Sequence, residues 1–153
     1  ILLAILAFFI LSIFSAYFIE YVLGHKPCKL CLYQRYPYFV SVFLILNILV
    51  LKKYVKLTLL TLALVSFFGS AIAFYHFGIE QGFFNESLIC EVKNFENDLS
   101  KNELLKSLSE NTISCKTVTF SVFGLSLASI NTVLSFILFG IFVKLYKNYE
   151  RNK

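Results

Sequence analysis

Four cysteines carry most of the chemistry this sequence offers. Cys28 and Cys31 fall in "HKPCKLCLYQR", residues 25–35, and Cys90 and Cys115 fall in a later polar stretch. Two cysteines separated by two residues close a very small ring, so bonding them adds little loop-closure stability. Such a pair is better suited to cycling between dithiol and disulfide. Reactivity requires thiolate, which nearby cations and a helix N-terminus favour, and Lys26, Lys29 and Arg35 surround this pair. Cys90 and Cys115 are compatible with a plain staple across a long loop, worth about 3 to 4 kcal/mol in the chain-entropy model. A four-sulfur zinc site is a further alternative. Only the first pair has knuckle-like spacing, however, and an oxidising compartment competes for the thiols, so no metal is expected.

The elements that must position these residues are membrane spans. Of 153 residues 58% are hydrophobic and 15% charged, too apolar for a polar surface around one soluble core. Residues 1–19, 36–51, 57–75 and 117–143 carry no Asp, Glu, Lys or Arg, and a crossing helix needs about 20 mostly apolar residues. The pattern predicts one all-α domain over 1–153, a four-transmembrane-helix bundle with spans at 1–23, 32–51, 57–77 and 122–143. Tyr17, Tyr21, Tyr33, Tyr36, Tyr38, Tyr54, Tyr75, Tyr146 and Tyr149 fall near span ends, where amphipathic rings favour the water interface. The first span lacks a visible basic n-region and exceeds a usual signal core, so a retained helix is expected.

Lys52, Lys53 and Lys56 in the loop 52–56, with Lys144, Lys147, Arg151 and Lys153 in the tail, place both termini in the cytoplasm by the positive-inside rule. The loops 24–31 and 78–121, which hold all the cysteines, then face outward. Lys26, Lys29 and Arg35 run against that rule and are better explained by the redox pair. In the long, net acidic outer loop, "SKNE" supplies Ser100 as N-cap and Glu103 as its capping-box partner, followed by Leu104, Leu105 and Leu108. A short amphipathic helix is expected there, lying on the membrane or simply within the loop. No nucleic-acid partner is expected.

Arg35 lies at the lipid boundary, where a charge needs a partner or must snorkel to head groups. If the helix is wound at Cys28, then Cys28, Cys31 and Arg35 share one face. Pro37 leaves this open, as a first-turn residue of a later helix that strands Arg35 in a loop, or as a kink. Glu20, Gln34, His76 and Glu80 are the other polar boundary residues. His76 reads as a structural hydrogen-bonding residue or as a contact for a polar ring.

With these motifs in place, the chain resembles the DsbB family, the disulfide bond formation protein B of bacterial inner membranes. The likeness rests on "KPCKLCLYQR" opening span two, "AFYHFGIEQGFF" leaving span three, the loop with Cys90 and Cys115, and "FSVFGLSLASIN" entering span four. Vitamin K epoxide reductases carry their membrane-edge pair late in the chain and match less well. The resemblance implies a quinone-dependent thiol oxidoreductase in the inner membrane with periplasmic cysteine loops. Cys90 would face a DsbA-like periplasmic thioredoxin-fold partner, with Cys115 as its pair. Electrons would pass to Cys28 and Cys31, and Cys31 would donate to ubiquinone or menaquinone. Arg35 would favour the thiolate and the quinone oxygen, with His76 a weaker candidate for the quinone site. The chain departs from many relatives in having no Trp, with Phe in positions such as "QGFF". A stapled scaffold or transporter subunit without turnover is the alternative.

Overall fold

The computed structural model describes residues 1–85, 115–116, 121–122 and 124–151. Their elements are α1 (Leu2–Tyr21), α2 (Lys29–Tyr33), α3 (Arg35–Leu51), α4 (Val55–Glu80), β1 (Ser121–Val122), β2 (Leu125–Ser126) and α5 (Leu127–Arg151). Gln34 keeps right-handed helical angles between α2 and α3, so Lys29–Leu51 acts as one crossing. The protein is all-helical with four helices long and apolar enough to span a membrane. Cys90 and the amphipathic helix expected around Ser100 and Glu103 lie outside the described residues.

The fourth span starts later than expected. Residues 121–126 form a small antiparallel hairpin, Ser121 opposite Ser126, and Gly124 takes the left-handed turn angle, φ +80°. Ser126 Oγ then accepts the Ser129 backbone N–H at 3.1 Å and caps α5. Hydropathy alone reads this apolar hairpin as helix. At its other end α5 continues past residue 143 to Arg151, because losing apolar character ends a span without ending a helix. A basic last turn suits the negative end of the helix dipole.

The break between α2 and α3 follows from Pro37, which has no N–H to give Tyr33. Pro37 sits in the first turn of α3, where that donor is not needed. Arg35 is nevertheless helical, as the first residue of α3, so a proline in the first turn does not strand Arg35 in a loop. At the end of the bundle away from Cys28 and Cys31, Lys52 and Tyr54 both adopt left-handed angles and turn the chain tightly into α4.

The half of the bundle away from Cys28 and Cys31 is packed with apolar side chains, chiefly Ile5, Phe9, Ile45, Leu62 and Phe142. Outward, Leu3, Phe14, Phe43, Phe68 and Phe136 stay exposed, as expected where lipid is the solvent. α4 is the most enclosed helix, and Ser66, Gly69, Ser70 and Ala73 on its buried side let neighbouring backbones approach. Tyr38 departs from the interfacial-belt expectation, since its hydroxyl turns into the bundle and reaches Asn131 on α5.

A Cβ placed on Gly69 would lie 3.3 Å from Pro37 Cβ. Gly69→Leu should therefore drive α3 from α4 and lower stability by about 1 to 3 kcal/mol, read as a lower melting temperature in detergent. Gly69→Ala, whose Cβ needs Pro37 to yield by only a few tenths of an ångström, should lower it by less in the same measurement.

Candidate active site

Cys28 is the N-cap of α2, in extended conformation, so the helix is not yet wound at the first cysteine. The condition for Cys28 to share a helical face with Cys31 and Arg35 is therefore not met, and a tighter contact takes its place. The Cys31 backbone N–H donates to Cys28 Sγ at 3.2 Å, and the two sulfurs stand 2.8 Å apart. His76 of α4 brings Nε2 within 3.5 Å of the same sulfur. Cys28 Sγ thus accepts from the Cys31 amide and has the Cys31 sulfur and His76 Nε2 beside it. It is the sulfur best placed to carry negative charge.

Its titration agrees. Just outside the Lys29–Leu51 span, Cys28 is lowered from an ordinary 9.0 to about 5, first by the hydrogen bond from Cys31, with burial opposing and His76 assisting. The lysines expected to supply this field are not among its leading causes. Because the folded state binds the proton less tightly than the unfolded chain, the resulting stabilisation is complete above the ordinary thiol range. It is lost as pH falls through about 5.

Cys28 and Cys31 are free thiols, and both are shielded, Cys28 being 4% exposed. Cys115 is disulfide-bonded and 1% exposed, and it shares one packed cluster with Cys28, Leu30 and Ile79. The structure therefore brings one residue of the outer-loop pair against the membrane-edge pair. Cys28, Cys31 and His76 present three donor atoms within 4.8 Å of one another, a spacing that a thiophilic ion also accepts. Bonding Cys28 to Cys31 would remove two of those donors, so ion binding and disulfide formation exclude each other.

His76 is 2% exposed and sits in a polar web. Glu80, one turn along α4, places Oε1 3.7 Å from His76 Nε2, while its other oxygen accepts a hydrogen bond from Ser126 of the outer hairpin. On the opposite side Gln34 Nε2 lies 3.0 Å from His76 Nδ1, and Asn131 Nδ2 donates to Gln34 Oε1 at 2.8 Å. Asn131 is absent from the sequence reading. The signal was available: an amide inside an apolar span faces the bundle interior or a polar path.

Arg35 turns toward α1. It pairs with Glu20 Oε2 at 2.5 Å, reaches the Ala16 carbonyl at 3.5 Å and lies 4.8 Å above the Tyr17 ring. Its side chain is 14% exposed, so snorkelling does not describe it. The partner its depth demands within this chain is Glu20, an acid placed by the sequence reading merely at the interface.

Two outcomes test this geometry. Cys31→Ala should raise the midpoint of Cys28 alkylation from about 5 back toward 9.0, followed by mass spectrometry on reduced protein across a pH series. Glu20→Gln should cost about 1 to 3 kcal/mol by leaving a half-buried guanidinium without its counter-charge. Thermal melting reads that loss, and Glu20→Gln combined with Arg35→Gln should recover part of it.

Comparison with known proteins places this geometry. The protein-family description "Disulfide bond formation protein DsbB" matches residues 1–145. Uncharacterized protein RP370 of Rickettsia prowazekii (strain Madrid E) is 27% identical over 145 residues, covering 94% of this chain and 84% of that protein. No solved structure matches. A family match that runs from α1 into the last turns of α5, taking in the dithiol, His76 and Cys115, places the chain in the DsbB family of disulfide bond formation proteins.

Proposed function

We propose that the protein re-oxidises a DsbA-like periplasmic thiol oxidase and passes the electrons through its two cysteine pairs to a membrane quinone. The observation that carries this reading is a buried dithiol, thiolate-favoured at Cys28, packed in one cluster with disulfide-bonded Cys115 at the end of a four-helix membrane bundle. A structural staple has no use for a free pair held at hydrogen-bonding distance.

The sequence of exchanges balances as follows. In the proposed Cys90–Cys115 disulfide, a thiolate of the reduced partner attacks Cys90 and releases Cys115. The partner's second thiol then resolves the mixed disulfide, leaving the partner oxidised and Cys90 and Cys115 reduced. Cys115 next attacks Cys28 of the Cys28–Cys31 disulfide, the sulfur it packs near, and Cys90 resolves that bond. The membrane-edge pair now holds two electrons. A bound quinone supplies an acceptor for two electrons and two protons, closing Cys28–Cys31 again.

The surroundings suit a lipid-soluble acceptor. A cavity of about 700 Å³ between α2–α3 and α4 is lined by Leu30, Tyr33, Pro37, Val40, Phe68, Ile72 and Tyr75. Ile72 and Tyr75 also pack against the cluster that includes Cys28 and Cys31. Cys31 is the sulfur proposed to donate electrons outward. Arg35, four residues on, is not in the lining of this cavity but turns to Glu20 and Tyr17 of α1, so its proposed role toward the quinone oxygen rests on the family resemblance. In this reading the membrane is the bacterial inner membrane, with the Lys52–Tyr54 turn and both termini in the cytoplasm.

With purified protein, a short-chain ubiquinone or menaquinone analogue and a reduced DsbA-like protein, partner thiols should disappear as quinone is reduced. Cys28→Ser and Cys31→Ser should each slow quinone reduction by about two orders of magnitude or more. Arg35→Gln should raise the quinone KM while partner exchange at the outer pair continues. An undiminished rate in either cysteine variant would overturn the relay, and absence of any partner oxidation or quinone reduction by the wild-type protein would leave the stapled scaffold as the reading.

A further inference from the structure

Beyond the residues that meet sulfur, a run of buried polar groups leads away from the dithiol into the bundle. It has one direction throughout. Tyr38 Oη–H donates to Asn131 Oδ1 at 2.5 Å. With its oxygen so occupied, Asn131 turns Nδ2 to Gln34 Oε1 at 2.8 Å. Gln34, with that oxygen engaged, turns Nε2 to His76 Nδ1 at 3.0 Å. An amide nitrogen only donates, so His76 Nδ1 must hold its lone pair, and a neutral ring then carries its hydrogen on Nε2. Nε2 is the atom 3.5 Å from Cys28 Sγ.

We propose that Gln34, Asn131 and Tyr38 form a positioning chain that holds His76 as the Nε2–H tautomer, aiming that hydrogen at Cys28 and tuning its nucleophilicity from three residues that do not touch sulfur. This rests on the reading of Cys28 as a working thiolate. It adds residues of α3 and α5 to a site otherwise built from α2, α4 and the outer loop.

Both ends of the chain agree on its direction. At the far end the Tyr38 hydroxyl donates to Asn131 and so starts the chain with a hydrogen, not a lone pair. At the near end the groups that face the ring beyond Gln34 are Cys28 Sγ, the Glu80 carboxylate and the Cys115 backbone. The first two call for a hydrogen on Nε2. The reverse polarity would put a lone pair on Nε2 and a hydrogen on Nδ1, converting His76 from a donor that steadies a thiolate into a base that removes a thiol proton. The amides set this choice without conducting protons, because a carboxamide passes no net proton without forming its unstable imidic tautomer. The arrangement is an orienting device, comparable to the partners that fix the tautomer of a metal-bound histidine.

The test uses reduced protein labelled with ¹⁵N-histidine, in detergent or nanodiscs, without quinone or partner protein. His25 is the other histidine in the chain, and its signal is identified with a His25→Gln variant. The ¹⁵N shifts of His76 should show a protonated Nε2 and a bare Nδ1. Asn131→Leu should mix the two tautomers and slow alkylation of Cys28 by about three- to tenfold on the acid limb of its profile, at pH 5 and below, the equivalent of one lost hydrogen bond. The alkylation profile should move to higher pH. Tyr38→Phe, which keeps the ring and removes one hydroxyl, should shift both readouts in the same direction by less.

A wild-type His76 protonated on Nδ1 would overturn the proposal. So would folded Asn131→Leu and Tyr38→Phe proteins, checked by circular dichroism, that keep the wild-type tautomer and alkylation profile. Since neither readout involves turnover, loss of quinone reduction with an intact tautomer signature would count against the proposed function alone.

Discussion

Sulfur that is to be ionised at the edge of a bilayer needs donors that hydrocarbon cannot provide, and most of this architecture can be traced to supplying them. A group without a partner in that environment costs several kcal/mol, roughly the whole margin by which a small domain is stable. The first donor is local: by staying extended at Cys28, the chain turns the opening amide of α2 onto the sulfur beside it. The second comes from α4, and α4 can approach because small residues line its buried side. His76, once buried, needs partners in turn, and Gln34 and Glu80 pass that requirement to Asn131 on α5 and Ser126 in the hairpin. One polar centre thus draws on α2, α3, α4, α5 and the outer loop.

Arg35 obeys the same constraint by separate means. Its neighbour Gln34 turns to α4 while Arg35 turns to α1, so adjacent residues at one helix junction serve opposite sides of the bundle. Glu20 neutralises the guanidinium and Tyr17 covers it. A cation held this way keeps its position without being quenched by solvent.

The division of the sequence into spans is legible because it depends on a run of some twenty apolar residues, a signal that survives without tertiary knowledge. Cys28 and Cys31 are legible through their spacing. Partner choice is harder. Glu20 and Arg35 are fifteen positions apart and meet because α1 and α3 pack, which no local pattern states. Tyr38 looks interfacial because tyrosine so often is, and its inward hydroxyl follows from Asn131, 93 positions away. The start of α5 is hidden since "SVFGLS" is as apolar as a helix opening, and only the Gly124 turn with the Ser126 cap reveals a hairpin.

The bundle is therefore two materials joined along its length. The half away from Cys28 and Cys31, around Ile45, Leu62 and Phe142, is dry and non-directional, and such a core tolerates substitutions that conserve volume. The half around the two cysteines is held by hydrogen bonds whose direction matters, so an isosteric exchange such as amide for carboxylate can invert a donor without moving an atom. The Pro37 break stands where one half gives way to the other. It separates the cysteine turn from the long apolar helix.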